Sequence, residues 1–389
     1  MRNRIKNVKK IFFCTVLIAI MTLNCVGCIE AVEIPYSKVT VEDTVFENRF
    51  YYSQLEEEEQ LVYKEIYQGI IDHEEKIYVH SKDAQGVNEI LANVIFDFGE
   101  IFWADGSSTT TAYEESMWND AYAIIEPTYI YTRDERQTKE REIEAVVEQV
   151  VNSVPAEYTE YEKIKYIYEY LINNVQYVEE APDNQNIYSA LVGKETVCAG
   201  YAKANQYLLN RLGIYCTYVI GTAAREEEFE SHAWNIVRCS DAYYYVDITW
   251  ADPIETEEKP DISLERLYDY LCCSEKQLEN THRADEKYAY PKCVSDDLNY
   301  YRVNQMYYET VNRDELLRTM YESIDGEENS TVFKFSDSAL YQEAHPLVLQ
   351  DLINPATERI ARRYGLTEVK YYYEEQEAMN KLVIYWFYE

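Results

Sequence analysis

The chain has 389 residues, 47% of them hydrophobic, which is enough for a core with accessory units and too apolar for a disordered chain. It carries 71 acidic against 36 basic residues, a net charge of −35. That balance argues against nucleic-acid binding, which needs a basic face, and implies a strongly solvated surface.

Residues 1–28 read as a targeting segment. Arg2, Arg4, Lys6, Lys9 and Lys10 make a basic stretch, and Ile11 to Leu23 an apolar one. Val26-Gly27-Cys28 resembles a bacterial lipobox, with Cys25 where that pattern usually has leucine. On that reading Cys28 is the lipidation site and the chain is an exported lipoprotein, anchored to the outer face of the cytoplasmic membrane. Ordinary signal cleavage and an uncleaved anchor helix stay open, since Ile11 to Val26 is close to spanning length. All three export the body.

Residues 29–50 read as a polar tether without periodicity, and 51–135 as an N-terminal accessory region. In that region Gln54 to Asp72 is predicted helical, with Leu61, Tyr63, Ile66 and Ile70 on one stripe. Gln85 to Phe98 is a second helix, with Val87, Ile90, Leu91, Val94 and Ile95. Ala121 to Tyr131 reads as a strand, and His73 and His80 as surface residues. Thr138 to Val151 is a charged amphipathic helix. Thr159 and Glu162 form a capping-box signature for the next helix, whose apolar face is Ile164, Ile167, Tyr168, Leu171 and Val175.

Cys198 stands directly before a helical stripe of Tyr201, Ala204, Leu208 and Leu212, closed by Gly213. The free N–H groups of a helix start stabilise an anion, and a thiol there can titrate between about 3.5 and 7.5 instead of near 8.5. The same N–H groups could hold an oxyanion. Alone, Cys198 fits an inert buried thiol better, since free cysteine is a frequent core residue. His232 to Arg238 and Tyr243 to Trp250 are strand-like runs around Cys239-Ser240-Asp241-Ala242. Pairing Arg238 with Tyr243 sets His232 opposite Thr249 and Trp234 opposite Asp247. His232 and Asp247 then share a face as diagonal neighbours, roughly 7–8 Å apart at the backbone. A slip of one residue would separate them. In the even register the aspartate orients the imidazole, and the imidazole can take the thiol proton.

Three blocks now stand in order: Val197-Cys198-Ala199-Gly200-Tyr201-Ala202, His232-Ala233-Trp234-Asn235, and Asp247-Ile248-Thr249-Trp250-Ala251-Asp252-Pro253. Together they resemble the catalytic core of the transglutaminase-like superfamily, a branch of the papain-like cysteine proteins. Asp241-Ala242 replaces the usual Asp-Gly at the hairpin tip. Gly99-Glu100-Ile101-Phe102-Trp103 is similar to the Pro-Glu-x-Phe-Trp turn that precedes bacterial cores of this kind. The resemblance implies an α+β fold, with a Cys-bearing helix packed on an antiparallel sheet that carries His and Asp. It further implies nucleophile Cys198, base His232 and orienting Asp247. Tyr188 or Gln185 could complete an oxyanion hole, with Trp234 and Trp250 in support. His282, in a stretch that also resembles the family's continuation, is given a structural role. Arg225 to Glu230 reads as a solvated acidic loop at the cleft mouth. The core is expected over residues 136–293.

Residues 294–389 read as a small α+β appendage that the resemblance does not cover. Its strands are expected at Asn299 to Tyr308, Val332 to Phe335, Val369 to Tyr373 and Lys381 to Tyr388. Helices are expected at Asp314 to Ile324 and at Pro346 to Tyr364, the latter interrupted at Pro355. The six cysteines beyond the leader match no zinc spacing, and no phosphate loop or repeat is found, so no cofactor or metal is expected. The predicted function is a thiol enzyme acting on amide bonds through a thioester at the cell envelope. Water as acceptor makes it a peptidase or amidase, and an amine makes it a cross-linking acyltransferase. A non-catalytic surface module binding peptide or glycan is the remaining alternative.

Overall fold

The computed structural model describes residues 33–117, 119–224, 228–251 and 268–388. The leader with Cys28, Asp252-Pro253, most of the acidic loop's start and residues 264–267 lie outside them. Among the described residues no helix is long and apolar enough to cross a membrane.

Helix α1 (Glu57–Ile71) opens on a capping box between Glu56 and Glu59, and Asp83 caps α2 (Ala84–Asp97). These helices pack on an antiparallel sheet of β1 (Ile77–Val79), β2 (Ala104–Tyr113) and β3 (Tyr122–Tyr129) in the order β1-β3-β2. Three sequence expectations change here. Leu61 is exposed, and Val62 takes its place in the core beside Tyr63 and Ile66. The Ser-Thr run of β2 has too few apolar residues to announce a strand. Finally, the segment read as a tether is anchored at its end, where Phe46 and Phe50 are buried. Phe46 meets Tyr63, Tyr67 and Phe98 edge-on, contacts that need aromatic rings but no periodicity. The Asp97 carboxylate holds this end by accepting from the backbone N–H of Tyr51 and Tyr52 and from the Tyr63 hydroxyl.

Helix α3 (Arg133–Ser153) begins five residues earlier than the apolar pattern suggests, because Thr132 and Glu135 form a capping box. Helix α4 (Glu160–Asn174) starts at the expected Thr159–Glu162 box and buries Ile164, Ile167, Tyr168 and Leu171. A parallel two-strand link, β4 (Gln176–Tyr177) with β5 (Glu195–Thr196), leads into α5 (Cys198–Arg211). Helix α5 is buried nearly all round, which suits a helix lying between other helices and a sheet. It ends at Gly213, whose φ of 76° needs glycine.

The sheet beneath α5 holds β6 (Cys216–Ala223), β7 (Glu230–Cys239), β8 (Ala242–Val246) and β9 (His282–Ala284), all antiparallel, in the order β8-β7-β6-β9. Arg238 pairs with Tyr243 as the sequence implied, but Cys239 also pairs with Ala242, so the loop has two residues, not four. Ser240 and Asp241 both have positive φ, the type I′ geometry that matches strand twist. Glycine is dispensable because Arg238 bonds the Asp241 carboxylate and Glu160 accepts from the Ser240 N–H. One continuous apolar core joins the N-terminal helices, α3, α4 and α5 to this sheet.

After α6 (Glu275–Leu278) and β9, the chain enters an appendage with its own core. Here α7 (Tyr300–Val303) and β10 (Tyr307–Tyr308) replace the single strand expected over Asn299 to Tyr308. Asn299 caps the Tyr301 N–H and starts a helical turn, overriding the β propensity of the tyrosines. Helix α8 (Arg313–Asp325), β11 (Ser330–Phe335), α9 (Ser338–Pro346), α10 (Ile353–Tyr364), β12 (Lys370–Gln376) and β13 (Lys381–Phe387) follow, with sheet order β10-β11-β13-β12. The helical run starts at Ser338, before Pro346. It widens to π-type turns over Leu347–Leu352, where Pro355 can offer no N–H to the turn before it.

A buried polar knot joins this appendage to the sheet domain. Lys381 Nζ lies 2.6 Å from Asp269 Oδ2 and donates to the Tyr301 hydroxyl at 2.8 Å, while that hydroxyl donates to Asp269 Oδ1 at 2.9 Å. Asp269 adjoins Tyr270, whose carbonyl accepts the backbone N–H of Asp247 at 3.1 Å.

Candidate active site

Three separate pieces of chain build the site. Cys198 is the first residue of α5, and the turn before it is tightly bonded. Thr196 Oγ1 lies 2.7 Å from both the Asn184 carbonyl and the Ser189 hydroxyl. The close approach explains Gly200: a Cβ there would fall 1.9 Å from Thr196 Oγ1. Strand β7 carries His232, opposite Gly221 of β6. Asn235 sets the spacing between that strand and α5. Its side-chain NH₂ donates to the Ala202 carbonyl at 2.9 Å, and its oxygen accepts from Asn205 at 3.0 Å. Asp247 follows β8 directly, and its Oδ2 lies 2.7 Å from His232 Nε2. With Nε2 engaged, Nδ1 is the imidazole nitrogen left for sulfur, and the Cys198 thiol is near enough to raise the proton affinity of His232. Cys198 and His232 line one cleft of about 990 Å³.

A family model of the transglutaminase-like superfamily core matches residues 144–252. Over that span the chain is similar to a transglutaminase-like core. Its fold is α+β, with a Cys-bearing helix on an antiparallel sheet. Solved structures similar to the chain include a proposed cysteine protease from Cytophaga hutchinsonii, at 13% identity and a TM-score of 0.25 over 37% of this chain. A TGase is similar over 50% of this chain, at 13% identity and a TM-score of 0.27. Menin, in a crystal structure revealing its binding site for the Mixed Lineage Leukemia (MLL) protein, is similar over 73% of this chain and 66% of its own length, at 13% identity and a TM-score of 0.25. The match spans 62% of the first of these chains and 56% of the second. No curated protein matches.

The other residues singled out in the sequence fall in different places around this candidate site. Gln185 lines the cleft with Cys198. Tyr188 does not: its hydroxyl donates to Glu142 at 2.8 Å and its ring lies under Lys139, both on α3. Asn186 causes this, because its side chain accepts from the N–H groups of Tyr188 and Ser189 and starts a turn that carries Tyr188 outward. Trp234 is buried beneath His232, with ring centroids 5.8 Å apart. Trp250 lies 4.6 Å from the ring of His282 and gives its backbone N–H to Asp247 Oδ1 at 3.3 Å.

His282 is the residue whose place sequence reading did not anticipate. Its Nε2 lies 2.9 Å from Asp247 Oδ2, the oxygen that His232 also uses. Thirty-five residues and an edge strand separate it from Asp247, so no local pattern links the two. The three ligand-type atoms of His232, Asp247 and His282 lie within 4.8 Å of one another. Ligands sharing a tetrahedral zinc at the usual bond lengths would stand about 3.3 Å apart, so contacts of 2.7 and 2.9 Å suit protons.

Electrostatics separates the two imidazoles. For His232, burial works against the proton, but the Asp247 carboxylate outweighs it and holds the ring's pKa up at about 10. For Asp247, burial pushes the carboxyl up, yet the two imidazoles hold it well below the usual carboxylate range. For His282, burial wins over the same carboxylate, and the ring stays below its ordinary value. At neutral pH the cluster therefore holds one imidazolium, one carboxylate and one neutral imidazole. Since the His232 value exceeds the unfolded one of about 6.5, its stabilising contribution is complete below that pH and is lost as pH climbs through 10. A histidine NMR titration is expected to show His232 keeping its proton until about pH 10 and His282 neutral at pH 7. Two rings titrating together near 6.5 would contradict this.

Proposed function

We propose that the chain is a cysteine-dependent enzyme of amide bonds, acting as a peptidase or amidase on protein or peptide at the cell envelope. The observation that carries the reading is the His232 imidazole, held by Asp247 and standing beside Cys198 in an open cleft. Cys198 sulfur attacks the amide carbonyl carbon, and the helix start together with Gln185 faces the oxyanion that forms. His232 holds the thiol proton and gives it to the departing amine as the C–N bond breaks, leaving a thioester. Water then attacks the thioester with His232 as base, releasing the acid and restoring the thiol. The leader, with Cys28 as its lipid site, supports export and anchoring at the membrane.

Burial sets Cys198 apart from the other cysteines. It pushes the Cys216, Cys272 and Cys273 thiols far up and that of Cys239 to about 11, so their thiolates are scarce at neutral pH. An amide-mimicking electrophile is expected to label Cys198 in the full chain, and Cys198→Ala to abolish that labelling. Acid quenching with a cell-envelope extract is expected to leave a thioester-linked fragment on Cys198, detectable by mass. Undiminished labelling in Cys198→Ala would remove the nucleophile assignment.

A further inference from the structure

We propose that His282 is a positioning residue for the thiol chemistry: from Nε2 it holds Asp247 Oδ2 in the orientation that His232 needs. The proposal rests on the thiol-enzyme reading, and its test separates the two.

For a neutral His282 the geometry leaves one set of protons, although Thr281 Oγ1 also lies 3.3 Å from the Leu278 carbonyl. His282 Nε2 is 2.9 Å from Asp247 Oδ2, and His282 Nδ1 is 2.8 Å from Thr281 Oγ1. The carboxylate is an acceptor only, so Nε2 carries the proton and Nδ1 accepts from the threonine hydroxyl. Thr281 Oγ1 in turn lies 3.3 Å from the Tyr270 hydroxyl, which donates to it. The direction of donation thus runs Tyr270, Thr281, His282, Asp247. This tautomer leaves Nε2–H pointing at the carboxylate, and reversing it would leave Asp247 facing a lone pair.

The surroundings favour a neutral ring. Its side chain is fully buried and touches Trp234, Trp250 and Tyr270 at ring-centroid distances of 5.1, 4.6 and 5.4 Å. The charged groups acting on it are Asp247 after β8, His232 of β7 and the adjacent Arg283 of β9. Arg283 turns its guanidinium to the carbonyls of Glu279 and His282 and leaves the carboxylate to the imidazoles. Two cationic rings on one buried oxygen would repel, so a neutral His282 confines the positive charge to the ring that faces sulfur. With Trp250 N–H on Oδ1 and two imidazoles on Oδ2, the carboxylate is fixed at both oxygens. Removing His282 would free one side of it and let His232 swing from Cys198.

The test compares wild type, His282→Phe and His282→Gln in the full chain. Phenylalanine keeps the aromatic packing without a donor, and glutamine restores an N–H donor near the Nε2 position. The readout is the rate of Cys198 alkylation by iodoacetamide from about pH 5 to about pH 9, followed by peptide mass. Wild type sets the reference rate at each pH. His282→Phe should react about 10- to 100-fold more slowly in the acidic half of that range. His282→Gln should recover to within about fivefold of wild type, as one restored hydrogen bond predicts. Wild-type behaviour in His282→Phe, or an equal loss in both variants, would overturn the proposal. Histidine nitrogen NMR of the wild type is a second arm that needs no variant. A neutral, Nε2-protonated His282 at pH 7 supports the proposal, and a charged or Nδ1-protonated ring refutes it. If wild-type Cys198 itself alkylates as an ordinary thiol, the enzymatic reading fails, and the NMR arm still decides the role of His282.

Discussion

Asp247→Asn is expected to lower kcat/KM by about 10³- to 10⁴-fold while the fold persists, the scale seen when an orienting carboxylate is neutralised in such a relay. Asp247 Oδ2 receives both His232 and His282, and Oδ1 receives the Trp250 N–H. An amide offers one oxygen in place of two and presents an N–H to whichever ring it turns towards. It also removes the charge that does most to keep His232 protonated, so burial would then be opposed by the Cys198 sulfur alone among the named causes. Two readouts should therefore change together in Asp247→Asn: turnover of the substrate found by acyl-enzyme trapping, and the His232 NMR titration, which should fall well below about 10. A variant that kept full turnover with a displaced His232 titration would show that the carboxylate is dispensable for catalysis.

Lys381→Met should lower unfolding free energy by about 3–5 kcal/mol in denaturant titrations of the full chain, the usual cost of stranding one partner of a buried ion pair. The ammonium is fully buried and is shared by Asp269 and Tyr301. Without it, the Tyr301 hydroxyl is the one side-chain donor left to the Asp269 carboxylate among the described residues. Adding Asp269→Asn to Lys381→Met should recover much of the loss, because the stranded charge goes with it. A double variant as unstable as the single one would trace the loss to packing instead. The knot links the appendage to the turn whose Tyr270 carbonyl bonds the backbone of Asp247, so the single variant should also show lower activity below its unfolding transition.

The parts legible in the sequence were those specified by local chemistry. Capping signals at Thr159 and Glu162, an apolar stripe ending in Gly213, and a strand pair with Ser240-Asp241 between them each act over a few residues. The hairpin register followed from Arg238 opposite Tyr243 to Asn235 opposite Val246, but the strand ends there, so the expected Trp234–Asp247 and His232–Thr249 pairs do not form. Misreadings arose where contacts replace pattern. Phe46 is held by rings from α1 and by Phe98, and Asn299 turns a tyrosine-rich run into a helix with one hydrogen bond. Tyr188 is another such case, sent to Glu142 by the side chain of Asn186.

By itself, then, the order of residues determined the helix start under Cys198 and the two strands that carry His232 and lead to Asp247, since backbone propensity and two-residue periodicity act locally; the α+β class came from the resemblance of the three blocks. Only the tertiary structure decided that His282 shares the Asp247 oxygen, that Gln185 and not Tyr188 faces the cleft, and that Lys381 bonds Asp269 across 112 positions. Those contacts join elements far apart in the chain, where burial removes water and a single hydrogen bond or charge outweighs any local preference.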